Sequence, residues 1–423
     1  MTSSSTEQAP VKLLSIDGGG VRGLSALVLL EQLMDLSNNE REKRNLRPQE
    51  PWEMFDMIGG TSTGGLIAVM LGRLRMSIKD CKDAYVNLAE RAFTEMNFID
   101  RVKGTINVGP RFETQPLEDA IKGIIGDKWA TSLLKEDPKN IDCRVFVVAH
   151  LQQTNEVAIL RSYRNLLRPK AELETMHIWQ ACRATSAALT YFEPIEVDGT
   201  TYSDGGLLYN NPVQLVHIEA GEVFEGRDQL IVSVGTGLEK IMKFQPSLAT
   251  VATDLARLAS ETERTADDFF RKDGAKAAEA GRYFRFDVPG LGDIGLEESK
   301  KLRDIKRLTE RYINYGEVGR KIYRCAKEVA VESSSPDVEP NPDPNTDPGY
   351  VSVLYGGFRG RAGSFRMSLA DIESDKQLFL QMRAAYAKRQ HRLWRRDLPH
   401  PWTMAWLSWF DVKRLEFVEV VQR

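Results

Sequence analysis

The chain has 423 residues and carries 57 Lys and Arg against 60 Asp and Glu, a net charge of −3. A balance this close to neutral argues against a nucleic-acid binder held by phosphate contacts, and 42% apolar with 28% charged residues excludes disorder throughout. The length points to one large domain and something smaller. Cys81, Cys143, Cys182 and Cys325 show no CxxC spacing, so neither a disulfide framework nor a zinc site is expected and a reducing compartment fits.

Residues 1–10, MTSSSTEQAP, read as a disordered N-terminus with no basic n-region or apolar h-region, and no apolar run approaches the ~18 residues needed to span a bilayer. The expected location is cytoplasmic, with membranes touched only peripherally. From Val11 to Ile16 the run VKLLSI predicts a strand, DGGGVRG a tight glycine turn, and LSALVLLEQLMDL a helix. The pattern recurs where MFDMIGG (54–60) leads into TSTGGLIAVMLG (61–72). Further strand-like runs are RVFVVAHL (144–151), EVAILRSY (156–163) and DQLIVSVGTG (228–237), and Asp204 falls at the end of another, TYSD. Strands alternating with helical stretches predict an α/β fold over residues 11–331, a three-layer sandwich with a mainly parallel central sheet covered on both faces.

Residues 332–349, ESSSPDVEPNPDPNTDPG, hold five prolines and almost nothing apolar, and read as a stiff acidic linker. Its DPNTDPG resembles the start of a calcium loop, but Pro348 stands where glycine is required and Leu354 where the closing glutamate belongs. Residues 350–423 form a basic module, 13 Lys and Arg against 7 Asp and Glu, which holds Trp394, Trp402, Trp406 and Trp409. It is expected to be α+β, with a helix over ESDKQLFLQMRAAYAKRQHRLWRR and a terminal strand at VKRLEFVEVV. Its tryptophans fit either the core of a small domain or a membrane interface.

Chemistry concentrates in three places. GTSTG, with Gly60 and Gly64 two residues either side of Ser62, describes a nucleophile elbow between strand and helix, although alone it also fits a turn with no chemistry. Gly18, Gly20 and Gly23 fit GxGxxG, but a dinucleotide site wants an acid ending a second strand about twenty residues on, and SNNEREKRNLRPQEP supplies no such strand. The loop's successive N–H groups instead suit an oxyanion. Asp204, followed by Gly205 and Gly206, could be a base if partly buried, or simply close an Asx turn.

Together these pieces, in this order, resemble the patatin-like phospholipase family over roughly residues 11–330, and ATSAALTYFEPIEVDGTTYSDGGLLYNNPV and IVSVGTG are similar to it as well. The resemblance implies a Ser/Asp dyad without histidine, no metal or cofactor, and phospholipase A-type release of fatty acids from glycerophospholipids at a membrane surface through an acyl-enzyme. It makes Ser62 the nucleophile and Asp204 the base. It also makes Gly18, Gly19, Gly20, Arg22 and Gly23 the oxyanion and substrate-binding loop. Bracing that loop is the favoured role for the Arg22 side chain, since backbone donors suffice for an oxyanion. Leu189 stands where the family often has proline, which bears on substrate preference. A neutral-lipid or galactolipid acyl hydrolase is the alternative enzyme. A signalling module with a slow hydrolase domain and a protein partner on its tail is the alternative of another class.

His217 follows Asp204 in the order of a Ser, Asp, His triad but lies in NPVQLVHIEAG, an apparent helix, where a packing role is expected. His150, His177, His391 and His400 show no metal spacing. If the tail engages lipid, a chain ending at Val331 will hydrolyse a soluble short-chain ester normally yet attack anionic vesicles more slowly, with the difference shrinking but not vanishing as salt rises. Loss of soluble-ester activity on truncation, or equal vesicle rates, would remove the membrane role.

Overall fold

The computed structural model describes residues 9–92, 112–136, 141–168, 174–188, 191–237 and 262–332, together with strand segments 350–356, 362–368, 410–411 and 416–417. The chain divides into two compact units, Met1–Ser334 and Ser335–Arg423, a division inside the stretch expected as linker.

Among the described residues of the first unit, eight strands form one sheet in the order β5-β6-β3-β2-β1-β7-β8, with β4 also paired to β3. β1 (Val11–Ile16) lies parallel between β2 (Met57–Thr61) and β7 (Gln229–Val234), β7 carries β8 (Tyr283–Phe286), and β2 carries β3 (Arg144–Leu151), all parallel. β4 (Glu156–Arg161), β5 (Ile195–Val197) and β6 (Thr200–Asp204) run antiparallel to their neighbours. The sheet is thus an α/β sandwich as expected, parallel through its centre and antiparallel beyond β3. β5 and β8 are too short and too mixed in polarity to read as strands unaided.

Every residue of β1 and β2 is buried, because helices cover both faces. Side chains alternate between the faces. Leu14, Ile16, Ile58, Val145 and Val147 join the larger core, with α1 (Gly23–Lys43), α2 (Thr63–Ala68), α3 (Ile78–Ala92), α4 (Thr114–Trp129), α5 (Ile178–Thr185), α7 (Leu302–Ile313) and α8 (Gly316–Val329). Leu13, Met57, Phe146 and Val148 join the smaller one under α6 (Val213–Val223). Among the described residues no helix is long and apolar enough to cross a membrane.

In the second unit, β9 (Tyr350–Gly356) and β10 (Ala362–Ser368) form an antiparallel hairpin absent from the expectation, and Phe410–Asp411, just before the expected terminal strand, pairs antiparallel with Glu416–Phe417 within it. The tail helix, the linker with its calcium-like pattern and residues 1–8 lie outside the described residues.

One buried charge ties β4 to α6. Glu219, fully enclosed, accepts two hydrogen bonds from Arg161, at 2.7 and 2.5 Å, and another from Tyr163 at 2.8 Å. Burial pushes its carboxyl up, but the hydrogen bonds from Arg161, Tyr163 and Asn165 outweigh burial and hold it below its ordinary value. Removing the cation leaves an uncompensated buried charge, so Arg161→Leu should cost about 3–5 kcal/mol in a urea titration. A loss under about 1 kcal/mol would mean that Tyr163 and Asn165 suffice to hold the carboxylate.

Candidate active site

The site arises where two strands share one edge of β3. The ladder of β2 on β3 ends at Thr61 opposite Val148, while β6, running the other way, ends at Asp204 opposite Ala149. β4 occupies the other edge of β3 over Phe146–Leu151, so β2 and β6 must meet end to end on this one. The chain leaves the sheet after both, which brings Ser62 beside Asp204.

Ser62 turns the chain into α2 with φ 55° and ψ −129°, a backbone state costly for a residue with a side chain. The flanking glycines are required by contact. A Cβ on Gly60 would lie 2.2 Å from the Gly64 oxygen, and one on Gly64 would lie 2.4 Å from the Ile16 and Asp17 oxygens. Gly205 is as tight, 2.6 Å from the Val148 oxygen, whereas Gly206 gives its N–H to the Asp204 Oδ1 at 2.7 Å. Thr185 fills the gap between the two ladders: its hydroxyl donates to the Val148 oxygen at 2.6 Å and accepts the Ser62 N–H at 2.9 Å. It lies 123 residues from Ser62, and no local pattern marks it.

The Asp204 carboxyl is buried. Burial pushes it up to about 6, against hydrogen bonds from the Ser62 hydroxyl and the Gly206 N–H, and no cation contributes. Chemically, a serine hydroxyl beside a carboxyl of that basicity can serve as a nucleophile with a proton acceptor in reach. His217 is on α6 as expected, but its ring engages Gln229 at 2.7 Å and the edge of Phe269. Gln229 is level with Val11 at the start of β1, whereas Ser62 follows the strand ends, roughly 15 Å further along the sheet. The His150 ring is held by Ser203 and Asn155 at 2.9 Å each. Neither histidine serves Ser62.

The glycine loop hangs from Asp17, which is fully buried and bonded twice to Arg285 of β8, at 2.9 and 2.7 Å. Burial pushes the Asp17 carboxyl up to about 7 even though the Arg285 guanidinium opposes it, and Arg285 also faces Asp287 at 2.6 Å. The three glycine N–H groups, equivalent in the sequence, are not equivalent here. Gly18 spends its N–H on the Asn210 oxygen at 3.0 Å, so it is no oxyanion donor. Gly19 reaches the Thr63 hydroxyl at a long 3.2 Å. The Gly20 N–H has no hydrogen-bond partner among the described residues. Gly20 also needs its glycine, at φ 54° with the Leu296 oxygen 2.2 Å from a built Cβ.

Arg22 touches the loop at the Gly19 carbonyl: its backbone N–H and Nε reach that oxygen at 3.1 and 3.4 Å. Gly23 is a packing position, since a Cβ there would lie 2.3 Å from the Tyr85 hydroxyl oxygen. That hydroxyl donates to the Gly20 oxygen. Among the described residues no group of three His, Cys, Asp or Glu could hold a metal ion.

Residues 14–217 match the family model described as patatin-like phospholipase. The calcium-independent phospholipase A2-gamma of Mus musculus is 28% identical, covering 77% of this chain and 41% of that protein. The cGAMP-activated phospholipase of Vibrio cholerae is 29% identical over 48% of this chain and 55% of its own, and patatin-like protein 2 of Arabidopsis thaliana is 30% identical over 54% and 60%. The chain spans about two fifths of the length of its mammalian relatives. Among solved structures, VipD from Legionella pneumophila aligns with a TM-score of 0.33 and 12% identity, over 72% of this chain and 69% of that one, too loosely to inform the site.

The Asp204 environment has a measurable stability consequence. A carboxyl held at about 6, above its ordinary 3.8, stabilises the fold when protonated, and that contribution is lost as pH rises from about 4 through 6. Asp204→Asn removes the charge, so at pH 7 it should be more stable than the parent by up to about 3 kcal/mol, the gap closing towards pH 4. Urea titrations at several pH values measure this. A gap independent of pH would show that burial does not disfavour the carboxylate.

Proposed function

The chain belongs, across residues 14–217, to the patatin-like phospholipases, and on that premise we propose that it hydrolyses acyl esters of glycerophospholipids presented at a membrane surface. One observation carries this reading: the end-to-end meeting of β2 and β6 on β3 sets Ser62 beside a buried carboxyl, Asp204, which burial pushes up to about 6. The names of the relatives support the substrate class.

Asp204 takes the hydroxyl proton as Ser62 Oγ attacks the ester carbonyl carbon. The negative charge that develops on the carbonyl oxygen meets the Gly20 N–H, which has no partner among the described residues, and the Gly19 N–H, whose long bond to Thr63 is readily exchanged for a stronger one to an anion. The tetrahedral intermediate collapses, the C–O bond to the glycerol breaks, and Asp204 returns the proton to the leaving alkoxide. A water then gives its proton to Asp204 and attacks the acyl-enzyme. Fatty acid leaves, and the Ser62 hydroxyl is restored with the proton held by Asp204.

Ser62→Ala and Asp204→Ala should each lower kcat/KM on a short-chain ester by about 10³-fold or more, and His217→Ala should leave it within about twofold. Because the base must be ionised, kcat/KM should be flat above neutrality and fall about tenfold per pH unit well below 6. If His217→Ala abolishes activity in a folded protein, the dyad is wrong.

A further inference from the structure

We infer that Asn210 is a positioning residue for this reaction, one that aims the oxyanion donors of the glycine loop; the inference rests on the hydrolase reading above. A peptide unit is planar and trans, so its C=O and N–H point in opposite directions. Whatever fixes the Gly18 carbonyl therefore fixes the Gly19 N–H. Two side chains fix it: Thr236 donates its hydroxyl at 2.6 Å and Asn210 its Nδ2 at 3.2 Å.

Asn210 holds the other end of Gly18 as well, because its own backbone carbonyl accepts the Gly18 N–H at 3.0 Å. The amide is in turn oriented by a second bond, from Nδ2 to the Thr262 hydroxyl at 2.7 Å. Its neighbour Tyr209 accepts the Thr61 hydroxyl at 2.7 Å, one residue before Ser62. The Tyr209–Asn210 segment thus joins the nucleophile's strand to the oxyanion loop, and the short helix Gly206–Tyr209 links it to Asp204. The fit is close. A Cβ on Gly18 would lie 2.4 Å from the Asn210 Oδ1 and 2.9 Å from the Ser62 Cβ, so Gly18 is enclosed between the clamp and the nucleophile.

Without the amide, the Gly18–Gly19 peptide keeps only the Thr236 hydroxyl on its carbonyl and can rotate. Its N–H, and the Gly20 N–H that follows, then lose their aim at the point where charge develops. Substrate in its ground state carries little charge there, so the loss falls on turnover and not on binding.

The test measures Asn210→Ala and Asn210→Asp beside the parent protein, on a soluble p-nitrophenyl ester, with active sites titrated by a fluorophosphonate. Turnover per titrated site should fall about 10–100-fold, with KM within about threefold. Affinity for a trifluoromethyl ketone, whose adduct with Ser62 carries an oxyanion, should weaken by a similar factor. A role confined to folding would lower the titratable fraction and the melting temperature and leave turnover per site and ketone affinity unchanged, which overturns the inference. So would a rise in KM alone. Should neither Asn210 variant fold, Thr236→Val, which deletes the companion donor at constant volume, is judged by the same two readouts. A parent protein that turns over no ester and is not labelled at Ser62 removes the hydrolase reading and this inference with it. An active parent with unchanged variants removes this inference alone.

Discussion

One edge of β3 has to serve two strands that approach it from opposite directions. β2 pairs as far as Val148 and β6 begins to pair at Ala149, so the ladder is interrupted between neighbouring residues. An interruption inside a sheet leaves backbone polar groups that burial would penalise. Here the Val148 carbonyl takes the Thr185 hydroxyl, and the same hydroxyl accepts the Ser62 N–H. The two chain exits that make the site possible are therefore closed by one buried side chain.

Backbone crowding follows from that meeting. α2 starts so close to β1 and β2 that Gly60 and Gly64 touch neighbouring carbonyls, and Gly205 touches Val148. Most of these glycines are required by contact distance; only at Gly20 does a positive φ add a second reason. Ser62 is the exception, a side chain carried at φ 55° in the turn itself, where the surrounding packing sustains the strain.

The two buried carboxylates near the loop show how environment separates roles. Asp17 faces a guanidinium that bonds both of its oxygens and anchors the loop to β8. At Asp204, among the described residues, a serine hydroxyl and a backbone N–H are the groups that offset burial. Burial raises both carboxyls, Asp17 to about 7 and Asp204 to about 6, so their partners and not their basicity set them apart: both Asp17 oxygens are engaged by Arg285, whereas the Asp204 carboxyl faces the Ser62 hydroxyl. Around both, hydroxyls of Thr63, Tyr85 and Thr236 and the amide of Asn210 hold the loop's peptides one by one.

Wherever the chemistry of a short segment dictated its shape, the sequence was sufficient. Apolar runs ending in glycine specify β1 and β2, and GTSTG and the first glycine of DGG mark tight turns because only glycine tolerates the contacts found at Gly60, Gly64 and Gly205. His217 was readable as a helix residue from its apolar neighbours. What needed the tertiary structure depends on residues distant in sequence. Arg285 meets Asp17 across 268 positions and Asn210 meets Gly18 across 192, and neither pairing leaves a periodicity or a spacing to read. The same holds for the three glycine N–H groups: they are chemically identical along the chain, and the placement of Asn210 and Thr63 decides which of them are already engaged. Local sequence determines backbone states because those states depend on adjacent atoms. The choice of partner for each polar group depends on how the whole sheet brings its edges together.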